Sequence, residues 1–140
     1  MALILPYIGI FALLVTQSDA RNPPPNGRYF KELPDSATVA ATFIDQPSLP
    51  YRVTLKVTCT QMPLGVTSMP IDLDSNNKVY TVSKSGNNEY IYEVFLAIVA
   101  LECPNLLIDE DLERFFYHDK KDTVEAKVKG KFVTLVKSPA

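Results

Sequence analysis

Histidine is almost absent from this chain: His118 stands alone among 140 residues. A single imidazole excludes the commonest acid/base and metal-site designs, which combine several such groups. Glycine is nearly as scarce, and the five present are scattered, so no clustered glycine loop exists to cradle a phosphate. No serine stands in a nucleophile elbow, because Ser85-Gly86 is flanked by turn residues and lacks a glycine two places before the serine. An excess of one charge is missing too. A formal net charge of −2 with 46% hydrophobic residues argues for a packed fold, against an acidic disordered tail or a strongly basic nucleic-acid binder.

Cysteine is limited to Cys59 and Cys103. In an oxidising compartment an isolated pair is most simply a disulfide, and closing a loop of this length stabilises a fold by roughly 4 kcal/mol in the chain-entropy model. One cysteine pair with one histidine supplies neither the count nor the spacing of a zinc site. His118 lies in the charged stretch His118-Asp119-Lys120-Lys121-Asp122, which reads as a solvated turn and not as the partner of a catalytic thiol. No metal and no cofactor is expected.

What is present begins with an apolar run. Residues 1–15 are almost wholly apolar, and Ser18-Asp19-Ala20 ends the run in a small-x-small pattern, so residues 1–20 read as a secretory signal peptide. Residues 2–15 are too short to span a bilayer, which takes about 20 apolar residues, and Pro6 and Gly9 interrupt them. A secreted protein without a membrane anchor follows. Residues 21–34, with Pro23-Pro24-Pro25, read as an extended proline-rich leader, because consecutive prolines remove donors and fix φ. Residues 35–140 are then a single globular domain of ordinary size, expected to be monomeric.

Within that domain the clearest period is two. Tyr51, Val53, Leu55, Val57 and Cys59 alternate with Arg52, Thr54, Lys56, Thr58 and Thr60, which predicts a strand with one buried face and Cys59 pointing inward. Residues 123–128 and 131–136 predict a hairpin around Lys129-Gly130, the glycine supplying positive φ. Residues 78–82 and 89–95 predict a second hairpin across a polar loop, with the second strand continuing through the apolar residues 96–101 as a covered central strand. Ala40, Phe43 and Ile44 predict a short helix over 37–44, capped by Asp35 or Ser36. Asp109-Glu110-Asp111 ahead of Leu112, Phe115 and Phe116 predicts a second short helix, its acidic first turn favoured by the dipole. The sum is an α+β fold, mainly antiparallel β-sheet with one or two short helices and a single disulfide.

Candidate chemistry is thin. Asp109, Glu110, Asp111 and Glu113 could pair for glycosidase-type work, against which stands their ordinary use at a helix start. Tyr80, Tyr90 and Tyr92 could stack bases, but Lys78 and Lys84 are offset by Glu89 and Glu93, so core and cross-strand packing is the favoured use. No catalytic residue is assigned. Binding determinants are expected on polar loops held by a rigid sheet: Ser83, Lys84, Ser85, Asn87 and Asn88 in one, His118, Lys120 and Lys121 in the other.

Met69-Pro70-Ile71, Lys78-Val79-Tyr80-Thr81 and Ser85-Gly86-Asn87-Asn88-Glu89-Tyr90-Ile91-Tyr92 together resemble a segment of the guanyl-specific fungal ribonuclease fold, a layout shared by ribonuclease-like effectors of powdery-mildew fungi. Tyr29-Phe30-Lys31 echoes the start of their mature chains without its cysteine. The resemblance implies a curved antiparallel sheet packed on a helix. It also places Ser68 where that family carries its catalytic glutamate and Glu89 where it carries its phosphate-clamping arginine, with no counterpart for its histidines. A serine cannot serve as that base and a glutamate repels phosphate, so the resemblance implies a catalytically degenerate member.

The leading expectation is therefore a non-catalytic secreted effector of a plant-pathogenic fungus, which binds a host protein or host RNA to suppress defence. One rival is a small secreted ligand carrier or β-sandwich interaction domain, favoured by a retained apolar pocket. The other is a secreted hydrolase using Asp109, Glu110 or Asp111.

Overall fold

Two-residue turns with positive φ organise much of the chain. Asn77-Lys78 and Lys129-Gly130 each hold φ between 49° and 79°, the pairing that matches the right-handed twist of flanking antiparallel strands. In this computed structural model, which describes residues 23–139, the turns join consecutive strands of one sheet that closes on itself. The proposed signal peptide lies outside the described residues.

The strands are β1 (Gly27–Leu33), β2 (Ala37–Ile44), β3 (Arg52–Cys59), β4 (Met62–Thr67), β5 (Ile71–Asn76), β6 (Val79–Val82), β7 (Arg114–His118), β8 (Thr123–Val128) and β9 (Lys131–Lys137), with one α-helix, α1 (Asn88–Glu102), between β6 and β7. Every pairing is antiparallel, and β9 returns to β1 through Tyr29–Lys137 and Phe30–Val136. Eight strands thus form a closed up-and-down barrel, while β4 and β5 share one edge of β3 in succession. Closure pairs most strands on both sides, leaving free the outer edge of β4 and the unpaired halves of β1 and β9.

The barrel is filled. Tyr29, Phe43, Leu55, Ile71, Phe115 and Leu135 are wholly or almost wholly buried inside it. Tyr29 and Phe115 each meet Phe43 edge-on, at ring separations of 5.7 and 5.2 Å. Tyr29 stands opposite Ala41 in the β1–β2 register, so a small residue leaves room for a large one. The disulfide expected from the sequence forms, joining the end of β3 at Cys59 to Cys103 just beyond α1.

This architecture corrects the α+β, ribonuclease-like expectation: the fold is a closed antiparallel barrel with one helix, not an open sheet packed on helices. Four local assignments change with it. Residues 37–44 are strand β2, because Ala37, Val39, Ala41 and Phe43 alternate inward and the β-branched Thr38, Val39, Thr42 and Ile44 suit a pleated surface better than a helix. Residues 114–118 are strand β7, with Phe115 and Tyr117 turned inward and Phe116 outward. The acidic residues before it form a turn in which Glu110 and Leu112 take positive φ.

The third change is the largest. The stretch read as strand from 89 onward is helix α1, and its buried residues Asn88, Tyr92, Phe95 and Val99 recur at three and four. An apolar run of this length exceeds an ordinary strand, and length separates the two readings where periodicity does not. Accordingly β6 forms its hairpin with β5, not with the 89–95 segment. Residues 27–33, read as part of the leader, form barrel strand β1.

Candidate functional site: a cleft where the barrel seam opens

Barrel closure is incomplete along its last seam. The β1–β9 ladder holds at Tyr29–Lys137 and Phe30–Val136, with the Ser138 N–H bonding the Arg28 carbonyl at 2.7 Å beyond them, and does not continue toward the other end, although β1 runs on to Leu33 and β9 starts back at Lys131. Between the unpaired halves, at the end of the barrel that carries the disulfide, lies a cleft of about 460 Å³. Its apolar lining comes from Leu33, Ala37, Leu106, Val128, Val133 and the Cys59–Cys103 bridge. Asp35, Lys129 and Lys131 supply the charges at its exposed margin.

Asp111 holds this end of the barrel in shape. Its buried carboxylate accepts backbone N–H bonds from Ile108 at 2.8 Å, Lys129 at 2.6 Å and Gly130 at 3.0 Å, fixing the β8–β9 turn to the chain that follows α1. Tyr92 of α1 donates its hydroxyl to the Asp111 carbonyl at 2.6 Å. Desolvation, followed by the nearby carboxylate of Glu113, pushes the Tyr92 phenol well above its ordinary pKa. The carboxylate with the most defined environment is thus a structural clamp, while Asp109 and Glu110 stand exposed.

The two loops expected to carry binding do not meet. Residues 83–88 follow β6 at the disulfide end, whereas 118–122 follow β7 at the opposite end, since β6 and β7 run antiparallel. In the first loop Ser83 and Asn88 are buried scaffold. Asn88 accepts the Asp72 N–H at 2.8 Å and donates to the Ser85 carbonyl at 2.7 Å, and the Ser83 and Ser85 hydroxyls are 2.8 Å apart. Lys84, Ser85 and Asn87 are exposed.

In the second loop His118 lies 3.4 Å from Glu125, and His118, Lys120 and Lys121 border a shallow groove of about 600 Å³ on the outer barrel face, together with Lys78, Phe116 and Thr134. Ser68, at the position the ribonuclease resemblance gives to a catalytic glutamate, is buried. Its hydroxyl accepts the Leu55 N–H at 2.8 Å and donates to the Met69 carbonyl at 2.9 Å. Glu89 is exposed in the first turn of α1. Tyr80 and Tyr92 pack in the core, and Tyr90 faces outward.

At the end opposite the cleft, tyrosine hydroxyls converge. Tyr29 and Tyr117 both donate to Asp122 Oδ1, at 2.6 and 2.8 Å, and Tyr51 donates to the Pro25 carbonyl. Lys137 bonds the Asn26 carbonyl and lies 5.1 Å from the centre of the Tyr29 ring. This network shuts that mouth, leaving the disulfide end as the place where apolar lining reaches the surface.

Sequence reasoning missed the cleft residues Leu33, Leu106, Val128 and Val133. Their alternation marks them only as inward-facing or linking positions, and nothing local shows that β1 pairs with β9 and then parts from it. Among the described residues no group of three or more His, Cys, Asp or Glu side chains could hold a metal ion, and no helix is long and apolar enough to cross a membrane. Compared with known proteins, the chain matches no family model, no curated protein and no solved structure.

Proposed function

We propose that this chain is a non-catalytic binding protein that takes a small amphipathic ligand in the seam cleft. The apolar body rests on Leu33, Leu106, Val128 and Val133, and an anionic head reaches Lys129 and Lys131. The observation that carries this reading is the cleft, whose volume lies in the range of small-molecule sites and whose apolar floor adjoins a charged margin. The filled barrel interior directs the ligand to the mouth, not to a lumen. The carrier reading thereby moves ahead of the effector reading, whose motivating resemblance belonged to a different fold. The test is a fluorescence titration with medium-chain acyl and aromatic carboxylates. Val133→Trp should abolish binding with the thermal midpoint unchanged, and Lys129→Glu with Lys131→Glu should weaken carboxylates by about tenfold while sparing the matching alcohols. Binding that survives Val133→Trp defeats the proposal.

A second reading keeps the effector role, capture of a host protein or RNA, on the outer groove. The observation favouring it is that Lys120 and Lys121 border one exposed depression, in which Lys78 is paired with Asp119 and His118 stands 3.4 Å from Glu125. Lys120→Glu with Lys121→Glu should then remove partner binding and leave cleft ligands untouched.

A further inference from the structure

Four charged side chains meet at one place on the outer barrel face without pairing. Glu110 and Glu113 from the turn ahead of β7, Arg114 at the start of β7 and Lys127 of β8 line a pocket of about 240 Å³, walled by the rings of Phe116 and Phe132. Elsewhere charges do pair, as in Arg52–Asp72, Lys78–Asp119, His118–Glu125 and Lys137–Asp122. Among the described residues, none of the four in the pocket forms an ion pair.

The frame that presents them is fixed. The Leu112 N–H bonds the Lys127 carbonyl at 3.1 Å and the Val82 N–H bonds the Glu113 carbonyl at 2.9 Å, tying the turn to β8 and β6. Asp111, between the two glutamates, accepts the N–H bonds of Ile108, Lys129 and Gly130. Phe116 and Phe132 meet edge-on at 5.7 Å across β8, and Lys127 Nζ lies 5.7 Å from the Phe132 ring centre, so cation and aromatic wall share one space. A site ordered beforehand loses little freedom on binding.

The lining selects the ligand. A purely cationic molecule would meet Arg114 and Lys127, and a purely anionic one Glu110 and Glu113, so each suffers a repulsion that a zwitterion turns into attraction. Glu113 and Arg114 are consecutive, so the ligand's two charges must also lie close together, as they do on one α-carbon. Phe132, 56% exposed, offers its ring to an apolar side chain. The volume falls below the roughly 300 Å³ at which sites for drug-sized molecules begin, which limits the ligand to a small metabolite.

We infer that this pocket binds a free α-amino acid with an aromatic side chain. Its carboxylate meets Arg114 and Lys127, its ammonium meets Glu110 and Glu113, and its ring lies against Phe116 and Phe132. The pocket is separate from the seam cleft, so either can fail alone. Calorimetric titration of the disulfide-bonded protein with L-phenylalanine should give a Kd below about 1 mM, and Val133→Trp, which fills the cleft, should leave that value unchanged. In the Val133→Trp protein, phenethylamine and hydrocinnamate, each lacking one of the two charges, should bind at least about tenfold more weakly. Arg114→Gln and, separately, Glu113→Gln in the otherwise unsubstituted protein should each raise the Kd for L-phenylalanine about tenfold, with the thermal midpoint unchanged. The inference is overturned by absence of binding, by equal affinity for either singly charged analogue, by indifference to both Arg114→Gln and Glu113→Gln, or by loss of binding in a folded Val133→Trp protein.

Discussion

Tyr29 and Asp122, 93 residues apart, meet through a 2.6 Å hydrogen bond in which the phenol donates to the carboxylate. Tyr117 donates to the same oxygen, and Lys137 Nζ lies 3.9 Å from the other. The bond links the first barrel strand to the β7–β8 turn, so the closing seam is held by side chains where its backbone ladder is short. It also makes the fold sensitive to pH in both directions.

On the acid side, the Tyr29 bond, then that of Tyr117 and the charge of Lys137, hold the Asp122 carboxyl below its ordinary 3.8. A depressed folded-state pKa contributes stability above 3.8 that is lost as pH falls through the folded value. Asp119, held low by its Lys78 hydrogen bond, acts in the same sense. Thermal midpoints should therefore fall below about pH 4, and Asp122→Asn should flatten that part of the profile, with Asp119→Asn added flattening it further. A profile identical to that of the unsubstituted protein would contradict the assignment.

On the alkaline side the sign reverses. Burial pushes the phenols of Tyr29, Tyr51 and Tyr92 far above their ordinary 10.0, and that of Tyr117 up to about 12. A raised folded-state pKa gives stability below pH 10 that is lost as pH climbs through the folded value. Ultraviolet titration should show phenolate from these four tyrosines appearing together with the loss of far-ultraviolet β signal. Their ionisation with native circular dichroism intact would show that they are not buried.

Asp111→Ala should be severe. It leaves three N–H donors, those of Ile108, Lys129 and Gly130, without their acceptor, at a cost of roughly 3 kcal/mol or more. Denaturant unfolding should place Asp111→Asn between this variant and the unsubstituted protein, because the amide keeps one acceptor.

Asn88 separates scaffold from surface within one loop. Asn88→Ala removes two hydrogen bonds and should cost about 1–3 kcal/mol, whereas Lys84→Ala and Asn87→Ala should leave the thermal midpoint within about 2 °C. Equal effects at all three positions would mean that the loop has no such division.

Legibility followed the range of the interactions involved. Strand β3 could be read because five inward residues from Tyr51 to Cys59 alternate without interruption, and the β8–β9 turn because Lys129-Gly130 is itself the local requirement for positive φ. The disulfide could be read because two cysteines leave one pairing. Helix α1 runs against its local signal, since Tyr90, Ile91, Tyr92, Val94 and Phe95 are strand formers by propensity, and only packing against β4 to β6 rewards their helical spacing. Residues 37–44 failed in the opposite sense: Ala40, Phe43 and Ile44 lie at helical spacing, yet the β1 and β3 ladders on either side determine the strand.

The candidate site lay beyond local reasoning altogether. The cleft exists because β9 pairs with β1 over a short stretch and then parts from it, a relation between chain segments about a hundred residues apart. The sequence by itself determined the alternation of β3, the tight turn at Lys129-Gly130 and the cysteine bridge, each set by neighbours along the chain or by the small number of cysteines. Tertiary structure alone decided that the sheet closes into a barrel, that one seam stays open beside the disulfide, and that α1 keeps an apolar face in water, because strand pairing and helix docking are selected by burial summed over the whole fold.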